Sequence, residues 1–122
     1  MSLSLDRLRV LIVEDEALVS LMLETMLGRL GAEVVGTASS LEDGLELVGQ
    51  VPIDAAILDV NLSGERSFPI ADRLRSLDVP FLFASGYGSS VLPTCYADAE
   101  MVRKPYRAED IARALRRVTA SR

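Results

Sequence analysis

The sequence predicts an α/β domain with a five-stranded parallel sheet in the order 2-1-3-4-5 and helices on both faces. Three observations lead there. Short apolar runs without polar alternation, such as Ala55 to Leu58, read as strands covered on both faces. Segments with apolar residues at helical spacing separate those runs. The connections are short, which implies right-handed crossovers in a flavodoxin-like (βα)5 arrangement.

Each element has its own signal. The first strand is expected at residues 8–13 and stops at Glu14-Asp15-Glu16. A helix follows, with Leu18, Met22, Met26 and Leu30 on one stripe, Leu23 and Leu27 beside it, and Gly31 placed to end it. Residues 32–38 read as the second strand. Ser39 or Ser40 can cap the next helix, Glu42 and Asp43 suit its first turn, and Leu41, Leu45 and Val48 form its inward stripe. Pro52 leads into the third strand, which ends at Asp59. Beyond a loop at 62–67, Pro69 fits the first turn of a helix with Ile70, Leu74 and Leu77 as its periodic residues.

Pro80 introduces a fourth strand at 81–84, ending at Ser85-Gly86-Tyr87-Gly88. Residues 89–94 are polar and contain Pro93, so a helix there is expected to be short or poorly ordered. A fifth strand is expected at 99–102, followed by Lys104-Pro105. The final helix, 110–119, turns Ile111, Leu115 and Val118 inward and Arg113, Arg116 and Arg117 outward. That arginine row reads as a solvated face with cations near a helix C-terminus, or as a partner or dimer face.

A chain of 122 residues suits a single domain with one sizeable core, and the expected organisation is one domain over residues 1–122 without an output domain. The net charge of −5 argues against DNA binding. No apolar stretch is long enough for a membrane span, and the N-terminus lacks the core of a signal peptide. Cys95 stands alone, so no internal disulfide forms, and a reducing cytoplasm is expected. Histidine is absent, which excludes Ser-His-Asp chemistry and His-based zinc sites and leaves Cys95 without an activating base.

In an open α/β sheet, chemistry collects beyond the carboxyl ends of the strands. The expected topology brings Glu14 and Asp15, after strand one, beside Asp59, after strand three. Ser85 ends strand four and Lys104 follows strand five. Three carboxylates in one crevice repel unless a cation or a lysine offsets them. A hard divalent ion such as Mg²⁺ takes oxygen ligands, and Lys104 suits a phosphoryl oxygen, with Pro105 fixing the backbone after it. A carboxylate nucleophile, a metal, a lysine and a hydroxyl are the parts needed to move a phosphoryl group onto an aspartate. The alternative is that the acids are helix caps and Lys104 their counter-charge.

Glu14-Asp15, Asp59, Ser85 and Lys104-Pro105 together resemble the receiver domain of a two-component response regulator over essentially the whole chain. The resemblance implies that Asp59 is the phosphoacceptor. It implies that Asp15, Asp59 and the main-chain carbonyl of Asn61 bind Mg²⁺, with Glu14 reaching the metal through water. Ser85 matches the switch hydroxyl and Lys104 the phosphoryl-pairing lysine. The implied donor is a phosphohistidine on a sensor histidine kinase or a phosphotransfer protein. The effect would pass to a downstream protein, by binding or phosphate relay, from a monomer or weak homodimer that contacts neither nucleic acid nor membrane. Phe83-Ala84-Ser85-Gly86-Tyr87-Gly88 is similar to the signature of the FAT GUY receivers, and Ser63, where many receivers have proline, fits that subgroup.

There are departures. Met101 stands three residues before Lys104, where many receivers carry an aromatic that rotates on activation. Tyr87 or Tyr106 is a possible substitute, with packing as the other role for each. Phosphorylation would then order or shift residues 89–100. An aspartyl-phosphate hydrolase of the haloacid dehalogenase type would need a second Asp at position 61, which is Asn. A flavin or nucleotide module would need an anion-friendly loop where Glu14-Asp15-Glu16 stands. A receiver-like module that docks a partner without phosphorylation is the remaining rival.

Overall fold

A computed structural model describes residues 5–86 and 92–120. Strands β1 (Arg9–Val13), β2 (Glu33–Ala38), β3 (Ala55–Asp59), β4 (Phe81–Ser85) and β5 (Met101–Arg103) form one sheet in the order β2-β1-β3-β4-β5. Every neighbouring pair is parallel, as the crossover argument requires. Helices α1 (Ala17–Arg29) and α4 (Ala108–Ala120) cover one face, while α2 (Leu41–Gln50) and α3 (Phe68–Ser76) cover the other. The alternation along β1 shows the two cores: Val10 and Ile12 pack with Leu23, Leu27, Ile111 and Leu115, whereas Leu11 and Val13 pack with Val48, Ile70 and Leu74.

Local chemistry explains most boundaries. Gly31 follows α1 at φ 88, a conformation that glycine adopts without strain. Ser40 rather than Ser39 caps α2, its hydroxyl accepting the Asp43 N–H at 3.1 Å. Pro69 sits in the first turn of α3, where its missing N–H costs nothing. A pair of two-residue antiparallel strands, Asn61–Leu62 and Glu65–Arg66, begins one residue before the expected loop at 62–67 and otherwise lies within it. The fifth strand is shifted to Met101–Arg103, and a 3-10 turn spans Thr94–Tyr96. The expected irregular helix at 89–94 falls partly outside the described residues.

The expected inward stripe of α2 needs correction, and in α1 and α3 only part of the periodic apolar residues is buried. In α1, Leu23 and Leu27 are buried, whereas Leu18 is 77% exposed and Met22 45%. Apolar residues surround this helix, so two rows spaced by four satisfy the same periodicity, and only the sheet chooses between them. In α2, Leu45 is exposed and Gly44 is buried in its place. A Cβ on Gly44 would lie 2.4 Å from Ile70 Cδ1, so this glycine sets the close approach of α2 to α3. Leu77 is exposed because α3 ends at Ser76 and the chain turns through Asp78 at φ 57. Among the described residues no helix is long and apolar enough to cross a membrane.

Candidate functional site

Sheet register alone brings the acids together. Val13 pairs with Leu58, so the residues after β1 emerge beside Asp59 at the end of β3. Asp59 pairs with Ala84, which sets Ser85 one position further along the neighbouring strand. Ser85 pairs with Arg103, and the Lys104 N–H donates to the Ser85 carbonyl at 3.0 Å. Lys104, the only lysine of the chain, therefore leaves β5 directed along the same edge.

Glu14, Asp59 and Ser85 are buried there, at 3%, 6% and 4% exposure. Lys104 Nζ donates to Asp59 Oδ2 at 3.0 Å, lies 3.0 Å from Glu14 Oε1 and 3.5 Å from Glu16 Oε1. Of these ion pairs, the one with Asp59 has hydrogen-bond alignment, and among the described residues the buried Glu14 Oε1 has no hydrogen-bond partner. Burial foremost, with the adjoining Asp59 carboxylate, pushes Glu14 up to about 7, although the Glu16 N–H and Lys104 pull it down. Burial works against the Lys104 charge, but the hydrogen bond to Asp59 and the close Glu14 carboxylate outweigh that and raise its pKa well above the ordinary range.

Burial also works upward on Asp15. The Ser63 hydroxyl and N–H, with Glu14 and the local backbone, outweigh it and hold Asp15 below its ordinary value. Ser63 donates twice to Asp15 Oδ2, from its N–H at 2.9 Å and from its hydroxyl at 2.8 Å. Asn61 donates its N–H to Asp59 Oδ1 at 3.3 Å, and its side-chain oxygen accepts the Gly64 N–H at 3.1 Å. The pocket lined by Asp15, Glu16, Asp59, Asn61, Ser85, Gly86 and Lys104 encloses about 410 Å³.

A divalent cation fits this donor set. Glu14, Asp15 and Asp59 each offer a carboxylate oxygen, and these oxygens lie within 4.8 Å of one another. An all-oxygen, partly anionic cluster beside an open pocket suits Mg²⁺, which keeps several waters. The buried Glu14 oxygen without a hydrogen-bond partner and the mutual repulsion of the acids are both features that added positive charge relieves.

The structure thus brings together Glu14, Asp15, Asp59, Asn61, Ser85 and Lys104. Tyr106 is 6% exposed, and its buried hydroxyl has no hydrogen-bond partner among the described residues. Tyr87 and Gly88 lie outside the described residues. Sequence reasoning missed the contribution of Ser63, because its partner is 48 positions away. It also missed Tyr96, which is 1% exposed and packs against Phe68, Phe81 and Phe83. Met101 pairs with Phe83 and is partly buried on the same face, so the aromatic contact there comes from Tyr96. No local period marks Tyr96, since it sits in a single 3-10 turn.

The family model for the response regulator receiver domain matches residues 10–116, and the chain belongs to that family. Receiver domains act in phosphorylation-dependent signalling. The sensory transduction protein LytT of Bacillus subtilis is 35% identical over 114 residues, covering 90% of this chain and 47% of LytT. LytR of Staphylococcus haemolyticus is 28% identical, over 91% of this chain and 45% of LytR. The chain spans about half the length of these curated relatives. Among solved structures, SdrG from Sphingomonas melonis Fr1 is 41% identical with a TM-score of 0.80, covering 88% of this chain and 92% of SdrG. The BeF3-activated conformation of SdrG has a TM-score of 0.81 at 38% identity, covering 93% and 98%.

Proposed function

We propose that this domain is a switch in a two-component system or phosphorelay, in which Asp59 accepts a phosphoryl group from a phosphohistidine. The donor is a sensor histidine kinase or a histidine phosphotransfer protein in the cytoplasm. The observation that carries the reading is the buried Asp59 carboxylate, held 3.0 Å from Lys104 and ringed by Glu14 and Asp15.

In the step itself an Asp59 carboxylate oxygen attacks phosphorus, the P–N bond to the imidazole breaks, and the imidazole leaves with a proton from solvent. Lys104 exchanges its carboxylate partner for a phosphoryl oxygen, and Ser85 donates its hydroxyl to another. Glu14, Asp15, Asp59 and the Asn61 carbonyl would hold Mg²⁺, which supplies positive charge to the transferring group. Such a domain assists only its own phosphorylation and dephosphorylation, and its output is a changed surface for a downstream protein or onward relay of the phosphate.

Intact mass after incubation with Mg²⁺ and a small acyl phosphate tests this, with Asp59→Asn alongside. One added phosphoryl group that requires both Mg²⁺ and Asp59 is the expected result. If phosphohistidine donors fail as well while Mg²⁺ still binds, the domain is a docking module that works without phosphorylation.

A further inference from the structure

Asp15 lies at the mouth of the site, half-buried, next to two other carboxylates. The neighbouring Asp59 carboxylate disfavours a second charge beside it and so favours Asp15 rotamers that reach into solvent. What opposes that rotation is Ser63, whose N–H and hydroxyl both converge on Asp15 Oδ2, at 2.9 and 2.8 Å. An oxygen of the same Asp15 carboxylate stays within 4.8 Å of oxygens on Glu14 and Asp59.

The loop is shaped for this contact. Ser63 has φ 53 and Gly64 φ 94, so the chain doubles back between Asn61–Leu62 and Glu65–Arg66. A proline ring, locked near φ −65°, is incompatible with that backbone and has no N–H to give. The Gly64 N–H to Asn61 Oδ1 bond closes the same turn. Ser63 therefore ties the loop after β3, which carries Asn61, to the acid that follows β1.

We propose that Ser63 is a positioning residue for the cation site: it fixes the Asp15 carboxylate, and the loop bearing Asn61, in the arrangement that receives Mg²⁺. This rests on the reading of the acids as a cation site. Partners that orient a metal ligand from behind change affinity by about tenfold or more when removed.

The test is calorimetric Mg²⁺ titration of the full chain, unsubstituted and as Ser63→Gly and Ser63→Ala. Both variants keep the backbone N–H and lose the hydroxyl, and glycine tolerates the positive φ without strain. Mg²⁺ affinity is expected to fall about tenfold in both. Phosphorylation by an acyl phosphate should need correspondingly more Mg²⁺ for half-maximal rate, while the rate at saturating Mg²⁺ stays within about twofold, a split that general loosening of the fold does not produce. Unchanged affinity in both variants overturns the inference. Tighter binding overturns it too, because Ser63 would then compete with the ion for Asp15. If the unsubstituted chain binds no Mg²⁺, the cation reading fails and this inference with it.

Discussion

Lys104→Met removes the cation that faces Glu14, Glu16 and Asp59 but keeps most of the side-chain volume. Glu14 and Asp59 side chains are 1% and 8% exposed, so two buried carboxylates lose their counter-charge at once. Breaking a fully buried pair costs about 3–5 kcal/mol. Lys104 is 21% exposed and water can enter the space it leaves, so we expect a cost below that scale, about 2–3 kcal/mol.

The loss should depend on pH in a defined direction. Glu14 titrates at about 7 with Lys104 in place, and removing the lysine moves it higher still. Below that value Glu14 takes a proton, one of the opposed charges disappears, and the cost of the substitution shrinks. Urea unfolding followed by circular dichroism, under acidic and alkaline conditions, with chelator or with excess Mg²⁺, reads all of this. The destabilisation should be largest at alkaline pH with chelator, and a cation held by these carboxylates in the folded form alone should offset it. A variant as stable as the parent under alkaline, metal-free conditions would refute the argument, because the three acids would then not depend on Lys104.

Glu14→Gln tests the buried acid directly. Its folded pKa is raised from 4.5 to about 7, so its contribution to stability is complete below 4.5 and is lost as pH rises through about 7. The metal-free variant should therefore match the parent in acid and exceed it in alkali; thermal unfolding that shows no pH-dependent gap refutes the shift. Tyr96→Phe removes the hydroxyl that donates to Asp72 while leaving the ring that Arg75 covers at 4.2 Å. Asp72 can regain water, so the cost should be about 1 kcal/mol. That corresponds to about fivefold faster amide exchange at Ala97 and Ala99, whose N–H groups bond the Thr94 and Tyr96 carbonyls; unaltered exchange refutes it.

The five strands of the main sheet, the four helices and their order were legible in the chain, because burial on both faces of a parallel strand and on one side of a helix leaves its period in the sequence. The convergence of Glu14, Asp15, Asp59, Ser85 and Lys104 was legible too, since parallel topology sends every strand's carboxyl end to one edge. The inward face of α1 was not. Its rows through Leu18 and Met22 and through Leu23 and Leu27 are equally apolar, and only packing on β1 buries one and leaves the other outside. Nor was the role of Gly44, whose missing side chain matters only because Ile70 comes from another helix. The Ser63 bonds to Asp15 and the seat of Tyr96 among three phenylalanines join residues far apart in the chain. Local sequence encodes what each segment prefers by itself, whereas these contacts exist only after distant segments have packed, and so tertiary structure alone decided them.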